Sequence, residues 1–219
     1  VRGSDDITAQ EFYNYTNSIL KRDDSIFCIS LNMAVSTEEI EAFEEKVQKN
    51  YDGFTFYIKE KSSDGEFVPV TPREKHIVVT FVNPLKENRA ALGYDIYSQE
   101  NRSYALDRAI SLKQAYPTSQ IRLVQNDIAV LLFLPIFHLD SDTLKGVATI
   151  VLRLDALAQA IVDRGVLPNT QLYLLDISDD QKTSSILAKS QGANLSAEEV
   201  LQRYARDDFG RATRHDVIV

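Results

Sequence analysis

An α+β fold, with helices outside antiparallel sheets, is predicted for this 219-residue chain from three observations. Capping boxes (Thr8-x-x-Glu11, Ser36-x-x-Glu39, Ser196-x-x-Glu199) stand ahead of apolar residues at helical spacing. Short β-prone apolar runs lie between them, closed by turn signals such as Asp52-Gly53, Asn83-Pro84 and Asn126-Asp127. Hydrophobic residues at 44% and charged residues at 26% are ordinary for a globular protein, and the length allows a sizeable core without staples. The pattern divides into two unequal halves near residue 140.

The elements follow in order. The box at Thr8 opens an amphipathic helix over 8–21 carrying Phe12, Tyr15 and Ile19, and Ser25 to Leu31 is a strand or its continuation. The box at Ser36 opens a second helix with Ile40, Phe43, Val47 and Tyr51 on one face, stopped at Asp52-Gly53. Phe54 to Ile58 reads as a strand, Lys61 to Glu66 as a hairpin turn, and His76 to Val82 as a further strand. An irregular stretch over 83–101 leads into a helix over 99–114 with Ala105, Leu106, Ala109 and Ile110 inward, and Pro117 blocks its continuation. Ile121–Gln125 and Ile128–Phe137 form a hairpin, the second strand apolar at nearly every position and therefore buried on both faces. Gly146 to Leu154 is a strand. Asp155 caps a helix with Leu157, Ile161 and Val162 that stops at Gly165. Strands at Gln171–Ile177 and Ser184–Lys189, a helix after Ser196 and a closing Val217-Ile218-Val219 strand complete the pattern.

Composition excludes several functions. With 24 Lys+Arg against 32 Asp+Glu the net charge is −8, which argues against nucleic acid and against docking on an anionic membrane surface. The longest uncharged apolar run, Ile128–Phe137, has ten residues, about half of what a membrane-spanning helix needs. Eight glycines form neither a dinucleotide-binding nor a phosphate-binding loop, and no G-x-S-x-G elbow occurs. His76, His138 and His215 are scattered and Cys28 is alone, so no metal site or disulfide is expected. The His138-Leu139-Asp140-Ser141-Asp142 run is a solvated turn rather than a Ca²⁺ loop, lacking the glycine and bidentate glutamate. Glu38-Glu39 and Glu44-Glu45 read as a solvated helix face. No catalytic residue and no cofactor is assigned; the chain is not expected to be an enzyme.

The stretch Leu92-Gly93-Tyr94-Asp95-Ile96-Tyr97-Ser98, then Arg102, Ala105-Leu106 and Ala109, together with Thr118-Ser119-x-Ile121-Arg122-Leu123-x-Gln125 and Leu131-x-Phe133-Leu134-Pro135-Ile136-Phe137, resembles the CHASE domain. This is the extracytoplasmic sensing module of histidine kinases and nucleotide cyclases, plant cytokinin receptors included. Gln10-Glu11-Phe12-x-x-Tyr15 upstream and Gly146-x-x-x-Ile150-x-Leu152-Arg153-x-Asp155 downstream fit as well, so the resemblance covers most of 8–177. It implies an N-terminal stalk helix (1–24), a membrane-distal PAS-like ligand-binding subdomain (25–140) and a membrane-proximal PAS-like subdomain (141–219). It also implies transmembrane helices flanking the module in a longer protein, a periplasmic location on the inner membrane, a kinase or diguanylate cyclase output, and a homodimer through the first helix. Arg102 stands where the plant receptors carry an acidic residue, which argues against a cytokinin.

A small-molecule pocket is apolar with a few convergent polar groups, and 92–134 supplies that mixture most densely. The candidate ligand-binding residues are Tyr94, Asp95, Tyr97, Arg102, Thr118, Arg122, Val124, Leu132 and Leu134. Asp95 either accepts backbone N–H groups in its turn or faces a ligand. Arg102 lies in a helical first turn, a poor place for a cation, so it needs a partner: Asp95 or an anionic ligand. Arg122 is a strand-surface arginine or a pocket residue, and Tyr94, Tyr97 and Tyr104 either seal a core or line a pocket. Phe12, Tyr15 and Ile19 pack on their own domain or pair two chains. A periplasmic interaction module that senses a partner protein is the alternative function, and a broad exposed apolar patch would favour it.

Overall fold

The computed structural model describes residues 7–122, 128–163, 171–176 and 185–205. Its helices are α1 (Ala9–Leu20), α2 (Ile40–Gln48), α3 (Leu85–Asn88), α4 (Glu100–Leu112), α5 (Leu154–Asp163) and α6 (Ala197–Ala205). Its strands are β1 (Ile26–Val35), β2 (Lys59–Lys61), β3 (Phe67–Pro69), β4 (His76–Asn83), β5 (Tyr116–Pro117), β6 (Ile121–Arg122), β7 (Ile128–Phe137), β8 (Leu144–Arg153), β9 (Tyr173–Asp176) and β10 (Ser185–Lys189). The fold is α+β. Contacts gather the chain into two compact units: Val1–Ser119 with Leu131–Val151, and Gln120–Val130 with Leu152–Val219.

In the first unit the sheet runs β4-β1-β8-β7-β5; within the second unit Ile121 and Arg122 of β6 pair with Ala129 and Ile128 at the start of β7. β1 meets β4 antiparallel from Ile29↔Asn83 to Val35↔His76, with an irregularity between Leu31 and Asn32. Asn32 is fully buried there and donates Nδ2–H to Val147 O (2.9 Å) and Thr149 Oγ1 (2.7 Å). Those bonds offset the cost of a buried amide. β4 is buried at every position, the polar His76, Thr80 and Asn83 included, whereas β7, expected from its apolar run to be buried on both faces, turns Leu134 outward at 49% exposure.

The capping box at Thr8 forms: Thr8 N–H donates to Glu11 Oε2 (2.9 Å) and Glu11 N–H to Thr8 Oγ1 (3.3 Å). α1 then turns Phe12 and Thr16 inward. Phe12 stacks on Phe81 at 5.7 Å, and Thr16 Oγ1 accepts from Asn83 Nδ2 at 2.8 Å. The stripe expected through Phe12, Tyr15 and Ile19 is therefore divided, with Tyr15 62% exposed.

No strand forms over Phe54–Ile58. Side chains of α2 take its backbone groups: Gln48 Nε2 donates to Phe54 O (2.8 Å), Phe56 N–H donates to Gln48 Oε1 (2.8 Å), and Ile58 N–H donates to Glu44 Oε1 (2.6 Å). Glu44 is thus a half-buried backbone acceptor rather than part of a solvated face. Pairing begins one residue later, where β2 meets β3 across the Ser62–Glu66 turn.

In the second unit Leu154 and Ala158 of α5 pack with Ala188 against Val130, Leu172, Leu174 and Leu187. β9 and β10 pair antiparallel. Asp155 lies inside the first turn of α5 rather than capping it, because β8 runs on to Arg153 and the helix begins at Leu154. The Ser196 box opens α6, with Ser196 N–H donating to Glu199 Oε2 (2.8 Å) and Glu199 N–H to Ser196 Oγ (3.2 Å). The expected Leu123–Gln125 end of the hairpin strand, its Asn126-Asp127 turn, Val124, the Gly165 stop and the Val217–Val219 strand lie outside the described residues.

Candidate functional site

The Gly93-Tyr94-Asp95 segment threads between β2 and β4 as an extra extended stretch. Lys59 N–H donates to Gly93 O (2.9 Å) and Asp95 N–H to Lys59 O (2.8 Å), while Gly93 N–H donates to Val79 O (2.9 Å) and Val79 N–H to Tyr94 O (3.0 Å). Gly93 is required here twice over. Its φ is +77°, and a Cβ would stand 2.0 Å from Tyr57 O, so only glycine lets the two backbones approach. Successive side chains on an extended segment point to opposite faces, and Tyr94 and Asp95 accordingly enter different environments.

Asp95 has no exposed surface. Oδ1 accepts from the N–H groups of Ile77 and Tyr97, both at 3.0 Å. Oδ2 accepts from Arg73 Nη1 at 2.5 Å and faces His76 Nδ1 at 2.9 Å. Four partners fill the roughly four acceptor positions of a carboxylate. The turn reading of Asp95 is realised through Tyr97 N–H, and a buried ionic network is added to it. Arg73 also pairs with Glu60, Thr71 Oγ1 donates to the other Glu60 oxygen (2.6 Å), and Thr37 Oγ1 donates to Arg73 O (2.6 Å) while lying 3.3 Å from His76 Nε2. Burial raises the Glu60 carboxyl, but the bonds from Thr71 and Arg73 outweigh it and hold it below its ordinary range. Burial likewise lowers Arg73, and Glu60 and Asp95 together carry it above its ordinary value. A shallow depression lined by Thr37, Glu38, Pro72, Arg73 and Glu74 opens beside this network.

The Tyr94 side is different. The Tyr94 ring meets Phe67 edge-on at 5.5 Å and carries the Arg102 guanidinium at 5.2 Å. Arg102 is therefore not the partner of Asp95. Its Nε and the Tyr94 hydroxyl are buried without a hydrogen-bond partner among the described residues. Burial pushes the Tyr94 phenol up, with Arg102 opposing. Lys59, 6% exposed, lies with Nζ over Phe67 (4.6 Å) and Tyr57 (5.6 Å), and burial holds its ammonium below the ordinary lysine value.

The other candidates distribute unevenly. The Tyr97 hydroxyl donates to Asp107 (3.0 Å) and its ring lies 4.4 Å below Lys75 Nζ. Thr118 is buried: its N–H donates to Leu131 O (2.8 Å), and its Oγ1 accepts from Leu131 N–H (3.1 Å). Leu132 and Leu134 share the face of β7 opposite the buried Leu131 and Phe133, with Leu134 49% exposed. Tyr94, Asp95, Tyr97 and Arg102 thus gather beyond β4, whereas Thr118, Leu132 and Leu134 sit at the β5–β7 edge. α4 touches both the Ile96–Ser98 turn and β5. Arg122 lies in β6, its side chain outside the described residues, as is all of Val124. Sequence reasoning missed Lys59, Glu60 and Arg73 and took His76 for an isolated histidine. No local pattern marks Lys59 as inward, since its neighbours two residues away, Tyr57 and Lys61, are both exposed.

No helix among the described residues is long and apolar enough to cross a membrane. No curated protein matches the chain. Among solved structures it is similar to an extracellular ligand-binding receptor from Desulfohalobium retbaense (TM-score 0.45, 14% identity, 97% of this chain and 28% of that one). It is also similar to the extracellular domain named as that of the histidine kinase mmHK1S-Z2 (TM-score 0.39, 17% identity, 79% of this chain and 54% of that one). The chain spans about a quarter of the first and about half of the second. A family model, the CHASE domain, matches residues 5–187. With that match over most of its length, the chain belongs to the CHASE domain family.

Proposed function

We propose that this CHASE domain, an extracytoplasmic sensor module of a membrane receptor, binds a small molecule and passes a conformational change to an output of histidine kinase or diguanylate cyclase type. The family match over residues 5–187 carries the reading. The ligand-binding set is Tyr94, Asp95, Tyr97, Arg102, Thr118, Arg122, Val124, Leu132 and Leu134, in a membrane-distal PAS-like half over 25–140. The proximal half over 141–219 relays the change. Asp95 frames the site from behind, since its own oxygens are taken by protein donors. Two chains pair through α1 as a stalk, a role in keeping with the exposed Tyr15 ring. A ligand shifts such a module only by its differential affinity for two arrangements.

Thermal unfolding against a small-molecule library tests the reading. A ligand of the native state stabilises it by about 2.7 kcal/mol at a hundredfold excess over Kd, and Arg102→Ala abolishes the shift while remaining folded. Retention of a periplasmic protein on the immobilised domain, with no compound shifting the midpoint, gives the function to the interaction module instead.

A further inference from the structure

We propose that His76 stands as a doubly protonated imidazolium and forms, with Thr37, a proton-controlled latch. Loss of the ring's Nε2 proton turns the Thr37 hydroxyl from Arg73 O onto the ring and frees the Arg73 carbonyl in the loop before β4. The device goes beyond the ligand reading, because no step of it needs a small molecule.

His76 has no exposed surface, so each ring nitrogen finds its partner inside the protein. Nδ1 lies 2.9 Å from Asp95 Oδ2. The other acceptor positions of that carboxylate are taken by Arg73 and by the N–H groups of Ile77 and Tyr97. With the Arg73 guanidinium against it the carboxylate stays ionised and can only accept, so Nδ1 is an N–H. Nε2 lies 3.3 Å from Thr37 Oγ1. A threonine hydroxyl has one proton, and this one goes to Arg73 O at 2.6 Å. What remains for the ring is a lone pair, which makes Nε2 an N–H too. A neutral imidazole has one N–H and one acceptor. Only the imidazolium satisfies both neighbours.

The charges agree with the proton count. Glu60 and Asp95 bring two negative charges to the network and Arg73 brings one positive charge. A neutral His76 would leave one negative charge uncompensated beside a carboxylate that has no exposed surface, a costly arrangement where water is excluded. The imidazolium brings the sum to zero. The charged groups that face the ring are Asp95 from the 93–95 segment and Arg73 from the loop, with Glu60 of β2 behind Arg73. Val35, opposite His76 in β1, and Thr37 carry no charge. Once Nε2 is bare, two lone pairs face each other at 3.3 Å, and the Thr37 proton turns toward the ring to relieve them. Arg73 O then loses that donor. The shallow depression lined by Thr37, Glu38, Pro72, Arg73 and Glu74 lies at this joint, so the change reaches the surface.

The test is NMR of the ¹⁵N-labelled wild-type chain, which reads the two ring nitrogens of His76 directly. At pH 7 both resonate as N–H nitrogens. As the pH is raised the proton leaves Nε2 and not Nδ1, and the backbone amide signals of Thr37 and Glu74 move with the same midpoint as the ring. Thr37→Val keeps the shape and removes the acceptor of the Nε2 proton. That proton then leaves about one pH unit lower than in the wild type, a tenfold loss of proton affinity, and Thr37→Ser restores it. A ring with one bare nitrogen at pH 7 overturns the proposal without any variant. So does a proton that leaves Nδ1 first, or amide signals at Thr37 and Glu74 that ignore the ring's titration. A Thr37→Val ring that titrates with the wild type removes Thr37 from the latch and overturns it as well.

Discussion

On the Asp95 side of the 93–95 segment two carboxylates, Glu60 and Asp95, meet Arg73, His76 and three further donors, and every oxygen has a partner. On the Tyr94 side the Lys59 ammonium and the Arg102 guanidinium lie over aromatic rings, with no ion pair among the described residues. The two sides share one backbone and similar burial, so desolvation alone does not separate them. What differs is whether the protein provides the opposite charge. A matched network holds backbone in place, because removing one member leaves the others buried and unpaired. A side chain that lies only against rings has no such partner to strand, so its removal is expected to disturb folding less.

The contrast is broken most directly at its ends. Asp95→Ala strips partners from Arg73, His76 and two backbone N–H groups, and is expected to cost about 3–5 kcal/mol in urea denaturation at neutral pH. Lys59→Met, of similar depth on the other side, is expected to stay within about 0.5 kcal/mol of wild type, on the favourable side. Equal losses would erase the distinction. Gly93→Ala acts on the backbone common to both sides. With φ at +77° and the added Cβ 2.0 Å from Tyr57 O, a cost of about 2 kcal/mol is expected, read as a lower thermal midpoint.

The smallest effect is a pH effect. Glu60 titrates below its ordinary value in the folded state, so its contribution is fully present above the unfolded carboxylate value of about 4.3 and is lost as pH falls through the depressed folded value. Between pH 6 and pH 3, Glu60→Gln should therefore lose less of its thermal midpoint than wild type does. An identical acid limb in the two proteins would show that Glu60 carries no part of the matched network.

What could be read from the chain beforehand follows the range of each interaction. The boxes at Thr8, Ser36 and Ser196 are closed by residues three positions apart, so local spacing reveals them. The turn role of Asp95 toward Tyr97 is local in the same way. The Phe54–Ile58 segment deceived because its backbone is satisfied by Gln48 and Glu44 rather than by a strand, and propensity does not register side-chain substitutes for a ladder. Arg73 sits in a charged run that reads as solvated loop, and its partners lie 13 and 22 residues away. The aromatic region around Tyr94 was recognisable by composition. That Lys59 belongs to it depended on which strand the segment joins.

β4 has both of its ends fastened by side chains. At its start Asp95 grips Ile77 N–H and His76. At its end Asn83 Nδ2 donates to Thr16 Oγ1 and Asn17 Oδ1 of α1. Between them runs an eight-residue strand buried throughout, about 23 Å of extended chain with no slack to absorb a shift. The strand therefore has its register fixed twice over: cutting the anchor at Asp95 still leaves Asn83 tied to the first helix, and cutting the one at Asn83 still leaves the first residues tied to the 93–95 segment.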